Sequence, residues 1–217
     1  MTDSTVYDDT YFLTGKQSGK SLYENYRYLA ELTPGMCRRI INVLGIDIDD
    51  TIADFGCARG YITRAFRELG YKSYGFDVSK WAIDNCDPTI KDYVRLIEGD
   101  SFARMTKKFD WVIAKDVLEH IPNPELEETI TQLLRHARKG LFVVVPLSPA
   151  EGEPYVVPEY ELDITHVQRT TLGGWVSKLH RPGFNVSGRH LLPGVKQNYC
   201  QYEEGNGFIT VLRNEQL

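Results

Sequence analysis

The stretch Asp54-Phe-Gly-Cys-Ala-Arg-Gly60 constrains this chain more than any other. It joins a short apolar run, Thr51–Phe55, to a segment in which Tyr61, Ile62, Ala65, Phe66 and Leu69 recur at helical spacing before Gly70 stops it. A turn that leaves a strand and enters a helix through small residues lets backbone approach a ligand closely. Such turns belong to sheets whose strands alternate with helices, and the chain keeps that rhythm.

Ser73–Asp77 reads as a second strand, with Trp81, Ala82 and Ile83 opening a helix, and Val94–Ile97 and Phe109–Ala114 as two more. A helix follows with Asn123 as N-cap, Pro124 in its first position and Glu125, Glu127 and Glu128 at the positive end of its dipole. Leu126, Ile130, Leu133, Leu134 and Ala137 line one face, and Gly140 reads as the C-cap. The unbroken run Leu141–Val145 suits a central parallel strand covered on both faces. Leu172, Trp175, Val176 and Leu179 mark a helix ending at Pro182-Gly183, and segments near 185–189 and 208–213 read as an antiparallel pair at the sheet edge. The expected fold class is α/β: a doubly wound, mostly parallel, seven-stranded sheet with an antiparallel edge strand and an N-terminal helical lid.

Residues 1–45 read as that lid. Residues 1–20 suggest a mobile arm, residues 21–45 a helix with Leu22, Tyr26 and Leu29 on one face, and Pro34 the start of a second carrying Ile40, Ile41 and Leu44. The domain proper is expected over 46–217, with the proline-rich stretch 146–169 as an insertion on the substrate side.

The 217 residues suffice for one domain with its own core, and their net charge of −5 argues against a phosphate-binding groove. Cys37, Cys57, Cys86 and Cys200 form no CxxC pair, which reads as reduced thiols inside a cell. Neither a leader pattern nor an apolar run of roughly 20 residues is visible, so a cytoplasmic monomer or homodimer without membrane contact is expected.

Asp77 lies at the end of the second strand, where a carboxylate can accept from both hydroxyls of a ribose. Asp100, after the third strand, can accept from an adenine amino group, and Phe102 offers the ring an apolar face. With these residues in register, ADFGCARGYITRAF, YGFDVS, EGDSF and FDWVIAKDVLEHIPNP together resemble the motifs of the class I S-adenosylmethionine-dependent methyltransferases, a Rossmann-like family, over residues 51–145. The DVLEHI ending is similar to the branch of ubiquinone-biosynthesis and other small-molecule enzymes. The resemblance implies S-adenosylmethionine as cofactor and a small-molecule acceptor methylated on O, N or C. It also implies a cofactor site built from Asp54, Gly56, Cys57, Ala58, Gly60, Asp77, Val78, Asp100, Ser101 and Phe102, with the backbone near Lys115 beside the sulfonium.

Ala58 stands where the family most often has glycine, which costs about 1 kcal/mol if its φ is positive. The Lys115 ammonium is expected to point away from a sulfonium or to pair with Asp116. His166 reads either as a general base or substrate anchor or as a histidine bonded to loop backbone. Tyr11 and Tyr26 are expected to close over the cofactor, against a plain packing role. Glu119 and His120 read as fixing a turn, and Glu151, Glu153, Glu159, Glu161 and Asp163 as a solvated acidic face; no metal is expected. Two rival readings remain: a catalytically silent binding protein of the same fold, and a nicotinamide-dependent oxidoreductase, which would prefer G-x-G-x-x-G.

Overall fold

Seven strands, β1 (Thr51–Phe55), β2 (Lys72–Asp77), β3 (Val94–Leu96), β4 (Phe109–Lys115), β5 (Ala137–Pro146), β6 (Phe184–Arg189) and β7 (Asn206–Arg213), form one sheet in the order β3-β2-β1-β4-β5-β7-β6. These observations come from a computed structural model that describes residues 4–196 and 201–214; Cys200 lies outside the described residues. The first five strands pair in parallel, and β7 runs antiparallel between β5 and β6. The helices are α1 (Asp9–Leu13), α2 (Gly15–Ser18), α3 (Thr33–Leu44), α4 (Tyr61–Glu68), α5 (Lys80–Asp84), α6 (Ser101–Arg104), α7 (Asn123–His136) and α8 (Leu172–Leu179). No helix among the described residues is long and apolar enough to cross a membrane.

The sheet is covered on both faces because its strands carry apolar side chains on both. On one side Leu126, Ile130 and Leu133 of α7 and Trp175 of α8 pack against Val112, Leu141 and Val143. On the other, Ile40 of α3 and Phe66 of α4 meet Ile52, Ile113, Phe142 and Val144. All of Leu141–Val145 is buried, as its unbroken apolar run implies.

Asp54, buried in β1, accepts from the Thr63 backbone N–H at 3.1 Å and the Thr63 hydroxyl at 2.8 Å. It thereby satisfies a donor that the first turn of α4 leaves open. Because the carboxylate that anchors α4 sits on the strand before it, the intervening loop is held at both ends.

Four expectations need correction. Residues 21–32 are not helical, although Leu22, Tyr26 and Leu29 have helical spacing. Their backbone bonds instead to the first two helices: Lys16 N–H donates to Tyr23 O at 2.9 Å, Asn25 N–H to Leu13 O at 2.8 Å and Tyr26 N–H to Phe12 O at 3.0 Å. Nor is the N-terminal segment a free arm, because Tyr11 and Phe12 are buried. Asn123 is the first helical residue of α7 rather than its cap, and no side chain caps that end. At the other end α7 runs directly into β5, so Gly140 is a strand residue. A Cβ there would meet the Val211 carbonyl at 2.8 Å and the Trp111 ring at 2.9 Å, and close strand packing rather than helix termination requires the glycine.

Phe66 is fully buried at the seam between α3, α4 and the sheet. Phe66→Ala is expected to lower the unfolding free energy by about 3–5 kcal/mol. Urea denaturation with an unchanged m-value would register this, and a loss below about 1 kcal/mol would contradict the packing described.

Candidate functional site

Strand order reverses between β1 and β4, and ligand crevices in open α/β sheets lie outside the carboxyl ends of strands at such a point. A cleft of about 280 Å³ opens there. The ends of four neighbouring strands contribute to it: Gly56 and Ala58 after β1, Asp77 and Val78 at β2, Ile97 and Gly99 after β3, and Asp116 and Val117 after β4. Phe102 of α6 forms an apolar wall, Glu125, Thr129 and Gln132 of α7 form a polar one, and Tyr7, Tyr11, Phe12 and Tyr23 cover the mouth.

The β1–α4 loop is shaped by backbone conformation. Gly56, Ala58 and Gly60 have φ of 76°, 48° and 79°. At Gly56 a Cβ would lie 2.3 Å from Val117 Cγ2, so the loop and the chain leaving β4 approach as closely as glycine permits. Asp77 fixes the loop from the side. Its Oδ2 accepts from Ala58 N–H at 2.7 Å and its Oδ1 from Ser79 N–H at 2.7 Å. Burial raises the pKa of this carboxyl while the two N–H donors oppose the rise.

Asp116 is a second strained position, with φ of 57°. Burial alone would raise its pKa, but the ammonium groups of Lys115 and Lys196 outweigh it and hold the carboxyl well below the usual range. Lys115 pairs with Asp116 as expected of it.

The mouth is closed by aromatic stacking. Phe12 stacks on Trp81 at 5.5 Å, Tyr7 meets the His120 ring edge-on at 6.0 Å, and Arg59 ties Tyr26 O down at 3.1 Å. The Tyr11 hydroxyl donates to Asp163 Oδ2 at 2.7 Å, so the first helix is joined to the 146–169 segment. Asp163 is therefore not part of a solvated acidic face; it is buried at 5% exposure. Glu151 and Glu161 of that run are exposed and bonded to Thr170 and Arg169.

Of the residues expected at the site, Tyr11, Gly56, Ala58, Asp77, Val78 and Phe102 line the cleft. Asp54 and Gly60 shape its loop from behind. Asp54 holds α4, and a Cβ on Gly60 would strike Ile90 at 2.5 Å. Cys57 is buried against Cys86, Ile90 and Val94, Tyr26 packs among the N-terminal aromatic side chains, and the Lys115 side chain turns to Asp116. Asp100 and Ser101 do not line it. Asp100 is exposed and paired with Arg104 at 2.8 Å in a neighbouring groove, and the Ser101 hydroxyl accepts from Glu98 N–H at 2.9 Å. His166 is buried behind His120, its Nδ1 2.8 Å from the Tyr160 carbonyl. His120 is the imidazole that reaches the cleft. Burial pushes its pKa down to about 4, with His166 adding to the effect. Asp116, Val117, His120, Tyr7 and the α7 side chains are the lining that sequence reasoning passed over. For Asp116 and Val117, their place directly after β4 at the order reversal was the available signal.

Comparison with known proteins gives a consistent picture. A family model described as a methyltransferase domain matches residues 28–187. No curated protein matches the chain in sequence. Among solved structures, magnesium protoporphyrin IX methyltransferase from Synechocystis PCC 6803, with bound SAM, aligns at a TM-score of 0.60 and 16% identity over 99% of this chain and 98% of that one. A SAM-dependent methyltransferase from Archaeoglobus fulgidus aligns at 0.63 and 16% identity over 83% and 92%. The 1,6-didemethyltoxoflavin-N1-methyltransferase of Burkholderia thailandensis aligns at 0.60 and 15% over 86% and 80%. These likenesses concern the fold.

Ala58 carries a methyl group at a φ of 48°. Left-handed backbone costs a non-glycine residue about 1–2 kcal/mol, and glycine returns about 0.5–1 kcal/mol of that through chain entropy. Ala58→Gly is therefore expected to stabilise the fold by roughly 0.5–1 kcal/mol. A destabilised variant in equilibrium denaturation would show that Ala58 is unstrained.

Proposed function

This chain belongs to the methyltransferase-domain family, and from that premise we propose that it transfers a methyl group from S-adenosylmethionine to an oxygen, nitrogen or carbon nucleophile of a small molecule. The observation that carries this reading is the convergence of Gly56, Ala58, Asp77 and Asp116, from three strand ends, on one cleft.

The residues present suit the cofactor. The tight turn at Gly56 and Ala58 exposes backbone beside the cleft, where the methionine portion would lie. Asp77 keeps lone pairs beyond the two N–H groups it accepts, enough to take the hydroxyls of a ribose. Ile97, Gly99 and Phe102 supply an apolar slot for adenine. Asp100, spent on Arg104 in the next groove, has no part in that slot. S-adenosylmethionine supplies an already activated methyl group, so the chain has to align the acceptor and exclude water rather than activate the donor. Tyr7, Tyr11 and Tyr23 close that end of the cleft, and residues 4–32 act as the lid over it. Alignment of this kind accounts for roughly 7–11 kcal/mol in well-oriented reactions.

Polar hydroxyls, the His120 ring and the α7 side chains at the far wall favour an acceptor that is itself polar or aromatic. Cys37, Cys57 and Cys86 are free thiols, which fits a reducing compartment such as the cytoplasm.

Isothermal calorimetry with S-adenosylmethionine, S-adenosylhomocysteine and NAD tests the proposal. Micromolar binding of the first two and none of NAD is expected, about 10- to 100-fold weaker in Asp77→Ala, since a hydrogen bond to a charged group contributes about 1.5–3 kcal/mol. Binding of NAD alone, or full affinity in the Asp77 variant, would overturn it.

A further inference from the structure

We propose that Glu119, His120 and His166 form a site for one divalent transition-metal ion in the wall of the cleft. One potential ligand atom from each of the three lies within 4.8 Å of the other two, so small side-chain rotations bring all three onto a common ion. The two rings are 4.6 Å apart, tilted rather than stacked flat.

The hydrogen bonds around these rings set their tautomers. His166 Nδ1 faces the Tyr160 carbonyl at 2.8 Å, and a carbonyl only accepts, so Nδ1 carries the proton. His120 Nδ1 lies 2.7 Å from the Thr165 hydroxyl, whose own proton goes to Asp163 Oδ1 at 2.5 Å. That hydroxyl must therefore accept from the ring, and again Nδ1 is the donor. Both imidazoles are left with Nε2 as the lone-pair nitrogen. Metal-binding histidines are typically oriented in this way, by a carbonyl on one ring and a carboxylate relay on the other.

Glu119 is the independent observation. It is 1% exposed, and its Oε2 is buried with no hydrogen-bond partner among the described residues. A buried carboxylate oxygen left in that state is costly unless a cation comes to it. The nearby ammonium groups of Lys115 and Lys196 are committed to Asp116. Two imidazoles and one carboxylate suit Zn²⁺, Mn²⁺ or Fe²⁺ better than Mg²⁺ or Ca²⁺, which prefer all-oxygen sets.

Three protein ligands leave coordination positions open, and His120 lines the cleft, so the open side faces the acceptor end. On the methyl-transfer reading, this selects an acceptor bearing a hydroxyl or carboxylate oxygen able to bind the ion. The metal expected here departs from the sequence expectation of none.

Protein stripped with EDTA and dialysed is titrated calorimetrically with Zn²⁺, Mn²⁺ and Mg²⁺, beside Glu119→Gln and His166→Asn. Circular dichroism and S-adenosylhomocysteine affinity report whether each variant keeps its fold and cleft. One equivalent of Zn²⁺ or Mn²⁺ is expected, bound at least about 10-fold more weakly by either variant and poorly replaced by Mg²⁺. Co²⁺ added to the wild type should give the visible absorption of imidazole ligation, a readout that needs no variant. No stoichiometric ion in the wild type, or undiminished affinity in both folded variants, overturns the site. Metal binding without S-adenosylhomocysteine binding would remove the methyl-donor reading and leave the site standing, and the reverse result would do the opposite.

Discussion

Two buried carboxylates hold the bend on which the rest of the structure depends. Asp54 reaches forward from β1 to Thr63 in α4, and Asp77 reaches sideways from β2 to the backbone of Ala58. Between them they fix a loop whose Gly56, Ala58 and Gly60 all adopt left-handed backbone, which is free of steric cost for the two glycines and strained only at Ala58. Desolvation opposes keeping either group charged, pushing Asp54 up to about 6 and raising Asp77 as well. Backbone N–H groups and the Thr63 hydroxyl offset that cost, and the cleft inherits its shape from the balance.

The sheet was legible because parallel strands covered on both faces must be apolar throughout, and Leu141–Val145 shows this without ambiguity. The loop after β1 and Asp77 were legible for a related reason: their positions follow from the strand ends. Residues 21–32 were not. Their spacing is helical, but the backbone partners that decide their conformation come from Leu13 and Phe12, and a local period carries no trace of that.

Asp100 was misread in an instructive way. The turn after β3 contains Gly99 at a φ of 54°, and Ser101 and Arg104 bond back into it, so the carboxylate is directed into the next groove. A one-residue change of direction in a short turn is invisible to spacing arguments. His120 was underestimated for the opposite reason. It looks local in sequence, yet its ring meets the hydroxyl of Thr165, 45 residues away, in one polar assembly. Asp163, assigned to a solvated face by its acidic neighbours, is the buried centre of it.

That centre has two clients. One oxygen of Asp163 receives the Tyr11 hydroxyl from the first helix, and the other receives Thr165, which in turn orients the His120 ring. A single carboxylate therefore holds the first helix with one oxygen and, through Thr165, the His120 ring with the other, so a substitution at Asp163 would be felt at both places.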